Sequence, residues 1–406
     1  MIVMVINCGS SSLKYRLVSM PEEKELAGGE AQRVGPKTTE PARILHRYRG
    51  KQSTHLKEMK DHGEAFREVM NLLGNTPELR PEALGHRMVH GGSRFKEALL
   101  VEDDVIRGLE EIQDLAPLHN PPAVSLLKVC HEKYPDLPSS VVFDTSYHST
   151  LPEYAYTYAL PKQMREQWGI RKYGFHGTSH QFVVEEAAKF LKKPLSRFNV
   201  VSCHLGSGGA SLAAIVNGKS VDNTMGYSPL QGLIMSTRSG DLDPAIVMNL
   251  MHQNNGNPDP VEKQLNKNSG VLGLSGVSSD IRDVFSLKNK NGEFSEQLNQ
   301  TASLYIWRIR KYLGAYLTVV DSADAVIFTD TIGETMPLAR WMICSDMELF
   351  GLKIDPVKNQ SQELPLDCSA ENSPVRILAI KTNEELAIAR KTYDLIENLK
   401  QSRRNQ

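Results

Sequence analysis

Short apolar runs, each rich in β-branched or aromatic residues and bounded by polar ones, mark five stretches of the sequence as buried strands. They lie at 2–6, 141–143, 199–203, 325–329 and 376–380. Between these runs, apolar residues recur at the spacing of one helix face. The predicted helix faces are Phe66, Val69, Met70 and Leu73; Val183, Ala187, Phe190 and Leu191; Ile306, Ile309, Leu313, Tyr316 and Val320; and Leu386, Ala389, Tyr393 and Ile396. Strands that alternate with helices predict an α/β fold.

A turn built almost wholly of glycine and serine follows two of these strands. Residues 5–14 read VINCGSSSLK and residues 201–212 read VSCHLGSGGASL, and each segment continues into a second apolar run. Such a strand–turn–strand unit presents backbone N–H groups and hydroxyls at its tip, which are the donors that a phosphate chain needs. Two copies in one chain predict a duplicated fold that holds a polyphosphate from both sides. The second copy would begin after a boundary near residues 151–152.

Length, charge and cysteine content narrow the class of protein. A chain of 406 residues exceeds what one hydrophobic core usually serves, so two domains are expected. A net charge of −1 gives no support for a nucleic-acid or membrane-surface partner. Five scattered cysteines fit reduced thiols in a cytoplasm, and no apolar run approaches the length of a membrane span. We therefore expect a cytoplasmic protein whose partner is neither a nucleic acid nor a membrane.

Three charged residues stand where a phosphoryl-transfer site would need them. Asp144 directly follows the run 141–143, so its carboxylate would project from the carboxyl end of a buried strand, where open α/β sheets bind ligands. It could hold Mg²⁺ or simply begin a turn. Arg87 and Arg238 lie among small residues, and a guanidinium fork there suits a carboxylate or a transferring phosphoryl group. The alternative for both arginines is a structural salt bridge.

Histidines offer further candidates. The pairs His86/His90 and His176/His180 have helical spacing, but neither contains the glutamate of a His-Glu-x-x-His zinc site, and glycines nearby disfavour a helix at both. His119 lies in a turn before a helix with proline near its first position, either packed or facing a ligand.

Two acidic segments complete the set. Residues 329–334 (TDTIGE) form a junction between a strand and a helix, which would direct free N–H groups towards an anion. Glu384 and Glu385 lie in the first turn of the last helix, and the spacing from Thr382 to Glu385 is that of a capping box. These carboxylates could therefore serve a ligand or only cap the helix.

Taken in order, these motifs resemble those of the acetate kinase family, within the acetate and sugar kinase/actin-like superfamily. The chain has no P-loop, no Gly-x-Gly-x-x-Gly after its first strand and no protein-kinase catalytic loop. The matching segments run from the first strand to the last helix: 7–14 (NCGSSSLK), 86–92 (HRMVHGG), 117–121 (PLHNP), 143–145 (FDT), 173–180 (YGFHGTSH), 237–241 (TRSGD), 278–282 (SSDIR) and 383–385 (NEE).

The resemblance implies a duplicated ribonuclease-H-like, actin-like fold with an active-site cleft between two domains. The first would span 1–150 and be completed by the C-terminal helix 384–406. The second would span 151–383 and carry the donor side and the dimer interface. The implied activity is reversible, direct in-line transfer of a phosphoryl group from ATP to acetate, giving ADP and acetyl phosphate. The implied cofactor is Mg²⁺ or Mn²⁺, and the implied assembly is a homodimer.

Matched positions imply a role for each site residue. Arg87 and Arg238 would clamp acetate and the transferring phosphoryl group, with His176 on its equatorial oxygens and His119 also in the catalytic set. The metal site would comprise Asn7, Asp144 and Glu384. The acetate pocket would comprise Arg87, Val89, Leu118, Phe175 and Pro229. The phosphate and nucleotide side would comprise Asn7, Ser10, Ser12, Lys14, His204, Gly206, Ser207, Gly208, Asp280, Ile281, Arg282, Asp330, Thr331, Ile332, Gly333 and Glu334.

Two segments depart from the family pattern on the donor side. The usual GGIGEN or AGIGEN reads DTIGET at 330–335, and the usual HLGNG reads HLGSGG at 204–209. Thr331 disfavours the positive φ that glycine allows, and Asp330 adds a negative charge.

These departures leave the donor open, which could be pyrophosphate or another nucleoside triphosphate, whereas the acetate and transfer residues match the family. Two further alternatives are propionate as the acceptor and a non-catalytic, actin-like nucleotide-binding module. Retention of the full set of charged site residues favours an enzyme. A small acceptor pocket paired with arginine, rather than with a catalytic aspartate, disfavours a sugar kinase.

Overall fold

The computed structural model describes residues 1–35, 38–117, 119–287 and 295–404. The chain forms two compact units. Unit 1 comprises Met1–Ser149 and Asn383–Gln406, and unit 2 comprises Thr150–Thr382. Across the described ranges, no helix combines the length and the apolar composition needed to cross a lipid bilayer.

Each unit is built on one mixed β-sheet. The strands of unit 1 are β1 (Ile2–Cys8), β2 (Ser12–Ser19), β3 (Lys24–Gln32), β4 (Arg43–Tyr48), β5 (Lys51–Leu56), β6 (Ala83–Met88), β7 (Leu99–Leu100) and β8 (Ser139–Phe143). The strands of unit 2 are β9 (Val200–Leu205), β10 (Ala210–Val216), β11 (Lys219–Asn223), β12 (Ala325–Thr329), β13 (Leu366–Asp367) and β14 (Arg376–Ala379).

The six-stranded sheet of unit 2 repeats the topology of six strands of the eight-stranded sheet of unit 1. Their orders are β5-β4-β3-β2-β1-β6-β8-β7 and β11-β10-β9-β12-β14-β13. In unit 1, β1 is antiparallel to β2 and parallel to β6, which is in turn parallel to β8. In unit 2, β9 stands in the same relation to β10, β12 and β14. This repetition confirms the predicted α/β class and the duplicated ribonuclease-H-like fold.

Helices connect the strands and cover the sheets. They are α1 (His62–Gly74), α2 (Asp103–Glu111), α3 (Asn120–Lys133), α4 (Glu153–Tyr156), α5 (Lys162–Gln167), α6 (Gly177–Phe190), α7 (Pro244–Gln253), α8 (Pro258–Lys267), α9 (Gly270–Ser275), α10 (Ile281–Ser286), α11 (Glu296–Val320), α12 (Asp330–Thr335), α13 (Pro337–Cys344) and α14 (Glu384–Arg404). The four helices predicted from apolar spacing are α1, α6, α11 and α14. Phe190, placed on a buried face by its spacing, is in fact 41% exposed because it ends α6.

The C-terminal helix α14 covers one face of the sheet of unit 1. Val3 and Val5 of β1 pack in one cluster with Ile388 and Ala389 of α14. A Cβ atom on Gly85 of β6 would lie only 2.9 Å from Ile388 Cγ2, so this glycine permits the close approach of the helix. The other face of the sheet packs on a larger cluster that includes residues of α1 and α3. The first turn of α14 is thereby held against the sheet.

The two Gly/Ser hairpins close in the same way. Gly9 N–H donates to Ser12 O at 2.8 Å, and Gly206 N–H donates to Gly209 O at 3.0 Å. The tip residues Ser10, Ser11, Ser207 and Gly208 are exposed. Each hairpin therefore presents a polar tip at the end of the first strand of its unit.

Candidate active site

The carboxyl ends of three neighbouring strands carry polar residues in unit 1. Asn7 lies near the end of β1, Arg87 near the end of β6, and Asp144 directly after β8. Val3 and Val5 of β1 face α14, so the alternation of side chains along a strand places Asn7 on the same face. Glu384, the first residue of α14, lies beside Arg87. The sequence thus gathers one amide, one guanidinium and two carboxylates at one edge of the sheet.

Arg87 holds both carboxylates. Its Nε donates to Asp144 Oδ1 at 3.1 Å and its Nη2 to Asp144 Oδ2 at 2.8 Å, while Nη2 lies 3.3 Å from Glu384 Oε2. Burial acts to lower the pKa of Arg87, but Asp144 and Glu384 outweigh it and raise the pKa above its usual value. Among the described residues, no hydrogen bond or ion pair is made by Nη1. The structural salt bridge considered for Arg87 is therefore real, and it leaves one amino group available to a ligand.

The donor set of this edge fits a hard divalent cation. Mg²⁺ prefers oxygen ligands and usually takes one or two protein carboxylates together with substrate phosphates. Asp144 and Glu384 supply two carboxylates, and Asn7 a neutral oxygen. In the part of the chain that the structure describes, no three His, Cys, Asp or Glu side chains group as metal ligands. This edge therefore suits a metal held jointly with phosphate.

The prediction of a capping box between Thr382 and Glu385 is wrong. Asn383 caps α14 instead, since its Oδ1 accepts a hydrogen bond from Leu386 N–H at 3.0 Å. Glu385 lies 3.5 Å from Arg16 Nε. Because the helix begins one residue later than the box requires, the carboxylates of its first turn pair with arginines and do not act as the cap.

In unit 2, a line of buried hydrogen bonds fixes His176. This residue precedes α6 with φ 58°, and its Nδ1 lies 2.9 Å from Ser211 Oγ. Ser211 Oγ is also 2.8 Å from His180 Nε2, and His180 Nδ1 is 2.8 Å from Ser202 Oγ. His180, Ser202 and Ser211 are all fully buried. The imidazole of His176 is thus anchored through Nδ1, and Ser211 is a site residue that no motif predicted.

A second histidine supports the first. The ring of His204 stacks on that of His176, with centroids 4.2 Å apart and planes 30° apart. His204 Nδ1 lies 2.8 Å from Ser179 Oγ, and His204 Nε2 lies 3.0 Å from Asp330 Oδ2. The two rings therefore form one block between β9, α6 and α12.

Arg238 and His176 converge on Gly209. A Cβ atom built there would lie 2.9 Å from Arg238 Nη2 and 3.3 Å from His176 Nε2. Arg238 Nη1 donates to Pro229 O at 2.9 Å, and Nη2 to Gly208 O at 3.5 Å. No carboxylate within the described residues pairs with Arg238, and burial lowers its pKa. Its positive charge is consequently uncompensated by a nearby anion, which suits the binding of one.

The junction between β12 and α12 differs from its prediction. The positive φ belongs to Asp330 (60°), and Thr331 has no positive φ. Asp330 N–H donates to Glu334 Oε1 at 2.9 Å, and Thr331 N–H to Asp330 Oδ1 at 2.6 Å. The expectation of free N–H groups is therefore wrong for these two residues. Ile332 is fully buried, and Gly333 is buried as well.

The other residues that were predicted to bind the phosphoryl donor lie at helix starts and hairpin ends. Asp280 caps α10 by accepting from Arg282 N–H at 2.9 Å, and the Arg282 side chain turns back onto the same carboxylate. Ile281 is buried. Lys14 is exposed and Ser12 is half-buried.

The acetate pocket stays a prediction. Val89 belongs to unit 1, whereas Phe175 and Pro229 belong to unit 2. Leu118 lies outside the described residues. His119 is exposed and directly precedes α3.

A duplicated α/β fold with guanidinium, imidazole and carboxylate groups at its strand ends, and without a P-loop, defines a phosphotransferase of the actin-like class. The model of the acetokinase family matches residues 2–390. The acetate kinase of Dictyoglomus thermophilum is 45% identical, and the match covers 97% of this chain and 99% of that protein. The chain belongs to the acetokinase family, which confirms the resemblance read from the sequence.

Solved structures agree. The crystal structure of Porphyromonas gingivalis acetate kinase superposes with a TM-score of 0.91 at 35% identity, covering 97% of this chain and 99% of that one. A propionate kinase from Francisella tularensis superposes with a TM-score of 0.89, also at 35% identity, with coverage of 97% and 99%. These two solved structures, of kinases named for two short carboxylic acids, are thus about equally similar to the chain.

Proposed function

We propose that the protein is an acetate kinase that transfers a phosphoryl group reversibly between ATP and acetate, with acetyl phosphate and ADP as the other pair. The observation that carries this proposal is the convergence of Arg238 and His176 on Gly209, at the foot of a polar hairpin tip. Positive and hydrogen-bonding groups fixed in that way are what an in-line phosphoryl transfer requires.

The chemistry needs positioning more than proton transfer. Acetate is already ionised at neutral pH, so it can attack phosphorus without a general base. In unit 2, Arg238 and His176 would neutralise the charge on the transferring group. In unit 1, Arg87 would bind the acetate carboxylate through Nη1, since its Nε and Nη2 are directed at Asp144 and Glu384. Mg²⁺, held by Asp144, Glu384 and Asn7, would supply further charge neutralisation on the phosphates.

An acyl-phosphate assay tests the proposal. Purified protein is incubated with acetate, hydroxylamine and Mg²⁺, and acyl hydroxamate is measured with ATP, GTP or pyrophosphate as donor. We expect product with ATP, none without Mg²⁺, and less with pyrophosphate. Absence of product with every donor would leave the non-catalytic nucleotide-binding module as the better reading.

Propionate is the second candidate acceptor, because the solved structure of a propionate kinase is as similar to the chain as that of Porphyromonas gingivalis acetate kinase. The same assay with propionate decides between them. A specificity ratio kcat/KM that favours acetate supports the first proposal, and one that favours propionate supports the second. One methylene in an apolar pocket changes such a ratio by about tenfold to two hundredfold.

The assembly that we propose is a homodimer formed through α7. This helix has no buried residue, although Ile246 (46% exposed) and Met248 (64% exposed) are large and apolar. Exposed apolar patches of this kind mark interaction surfaces. We further propose a cytoplasmic location, because all five cysteines are free and buried thiols.

Met248→Glu is expected to convert the dimer to a monomer, since a carboxylate would be buried against an apolar partner surface. Sedimentation velocity measures the change. Val357→Glu is the matched control, because Val357 is 81% exposed and lies on a different segment. A dimer that persists in Met248→Glu would remove α7 from the interface.

Gly209→Ala is expected to lower kcat by about tenfold or more with little change in thermal midpoint, because the new methyl group would displace the guanidinium group of Arg238. Gly208→Ala adds the same methyl group where no atom lies within 4 Å. Thermal melting of both variants, beside turnover, separates displacement of Arg238 from damage to the fold. Wild-type kcat in Gly209→Ala would contradict the proposed role of Arg238 and His176 beside Gly209.

A further inference from the structure

Asp330 occupies an unusual position on the chain. It follows β12 directly and adopts φ 60°, a conformation that glycine takes more readily than aspartate. Both oxygens of its carboxylate are engaged, since Oδ1 accepts from Thr331 N–H and from Thr331 Oγ1–H, while Oδ2 lies 3.0 Å from His204 Nε2. A side chain that bonds so specifically from a disfavoured backbone conformation calls for a functional explanation.

The element that carries Asp330 is rigidly held. Arg340 is fully buried, and its Nη1 donates to Gly333 O at 2.8 Å and to Glu334 O at 2.9 Å, which ties down the end of α12. Glu334 Oε1 accepts Asp330 N–H at the start of the same helix. The carboxylate of Asp330 therefore has a fixed location against β9.

That carboxylate sets the tautomer of His204. Burial acts to raise the pKa of Asp330, but the hydrogen bonds from His204 and Thr331 outweigh it and hold the pKa well below its usual range. An ionised carboxylate only accepts hydrogen bonds, so His204 Nε2 carries the proton. Ser179 Oγ can then donate to Nδ1, and Thr382 Oγ1 to Ser179 Oγ, at 2.8 Å each. Every donor in this line finds an acceptor.

His204 in turn supports His176. The two rings stack at 4.2 Å, while Ser211 holds the edge of His176 at Nδ1. The remaining nitrogen of His176, Nε2, faces Gly209 beside Arg238. Ser211 at one edge of the His176 ring and the His204 ring against one face therefore both contribute to the orientation of that nitrogen.

We propose that Asp330 is a positioning residue for phosphoryl transfer: it locks the imidazole of His204, whose face holds His176 in line with Arg238. The inference rests on the proposed function, because it assigns His176 to the transferring group. Its consequence is specific. Removal of the carboxylate takes away one of the two hydrogen bonds described for the His204 ring, so the ring that stacks on His176 is held less firmly while the fold remains intact.

Asp330→Gly is the sharpest variant, because glycine accepts φ 60° without strain and removes only the side chain. We expect kcat to fall by about tenfold, which corresponds to about 1.4 kcal/mol of transition-state stabilisation, with KM for acetate within about twofold of wild type. The matched control is Asp321→Gly, an exposed aspartate that also has a positive φ (59°) and lies outside the site. Its kcat should equal that of the wild type.

A double-mutant cycle with His204→Ala shows whether Asp330 acts through that histidine. Coupled residues give non-additive effects, so Asp330→Gly should change kcat by less than about twofold in the His204→Ala background. An undiminished tenfold effect there would overturn the inference. So would wild-type kcat in Asp330→Gly.

A readout independent of turnover separates this inference from the proposed function. Ring ¹⁵N chemical shifts report which nitrogen of His204 is protonated, and they should show protonated Nε2 in the wild type and a change in Asp330→Gly. If the wild type forms no acyl phosphate, the proposed function fails, whatever the ¹⁵N shifts show. If the shifts of His204 are identical in both proteins, the positioning role of Asp330 fails even in an active enzyme.

Discussion

Arg238→Ala is expected to lower kcat for acyl-phosphate formation by about a hundredfold or more, because it removes a fixed cation aimed at developing charge. The structure explains why the loss should be confined to chemistry. The hydrogen bonds of Arg238 go to the carbonyl oxygens of Pro229 and Gly208. Within the described residues no carboxylate pairs with it, so the variant leaves no orphaned anion and its thermal midpoint should stay close to that of wild type.

Steady-state kinetics in both directions, combined with thermal melting, checks this expectation. Arg238→Lys is the informative control, since lysine keeps the charge but loses the planar fork. It should recover part of the lost turnover. A variant Arg238→Ala with near-normal kcat would refute the assignment, and one with a strongly lowered melting temperature would show a structural role that the contacts do not reveal.

The parts of the fold that the sequence predicted are those whose local amino-acid composition matches their burial or turn conformation in the structure. The apolar runs that became β1, β8, β9, β12 and β14 are buried, so their composition alone marked them. The Gly/Ser turns marked both hairpins. Strand β6 escaped prediction because Gly85, His86 and Arg87 interrupt its apolar pattern. One face of β6 is buried by α14, which lies some three hundred residues later in the chain and has no local signature in β6, and the other face is buried in the larger cluster of unit 1.

The residues of the site likewise divide into those that the sequence predicted and those that it did not. Arg87, Asp144 and His176 stand in recognisable motifs at strand or helix ends, Arg238 stands in a recognisable motif of the loop between β11 and α7, and sequence alone selected all four. Ser211 had a weaker signal, because the register of the β9–β10 hairpin places it opposite His204. The contact between Asp330 and His204 had none, since it joins two strand ends by tertiary packing. Asp330 departs from the family pattern on the donor side, and the structure shows that it makes specific hydrogen bonds of its own.

Arg87→Ala is expected to reduce both turnover and stability, in contrast to Arg238→Ala. Turnover should fall by about a hundredfold or more, since the variant loses a cation proposed to bind acetate. The free energy of unfolding should fall by about 2–4 kcal/mol, because Asp144 and Glu384 are then left close together without their shared positive partner. Urea denaturation without divalent cations measures the second effect.

Arg16→Ala is the matched control for stability. Arg16 contacts Glu385, the neighbour of Glu384 in the first turn of α14, and also Glu25, but all three side chains are about one-third or more exposed. Such surface pairs contribute about 1 kcal/mol or less. If Arg87→Ala loses no more free energy of unfolding than Arg16→Ala, solvent screens the charges of Arg87, Asp144 and Glu384 as it screens those of a surface ion pair.

Addition of Mg²⁺ makes the same variant a test of the metal site. Ligands that bind the folded state raise its stability by mass action, and two adjacent carboxylates freed from Arg87 offer a divalent cation a stronger local charge. The melting temperature of Arg87→Ala should therefore rise more with Mg²⁺ than that of the wild type. Asp144→Asn introduced into Arg87→Ala should abolish the extra rise. If Mg²⁺ stabilises Arg87→Ala no more than the wild type, Asp144 and Glu384 are partners of an arginine and not ligands of a metal.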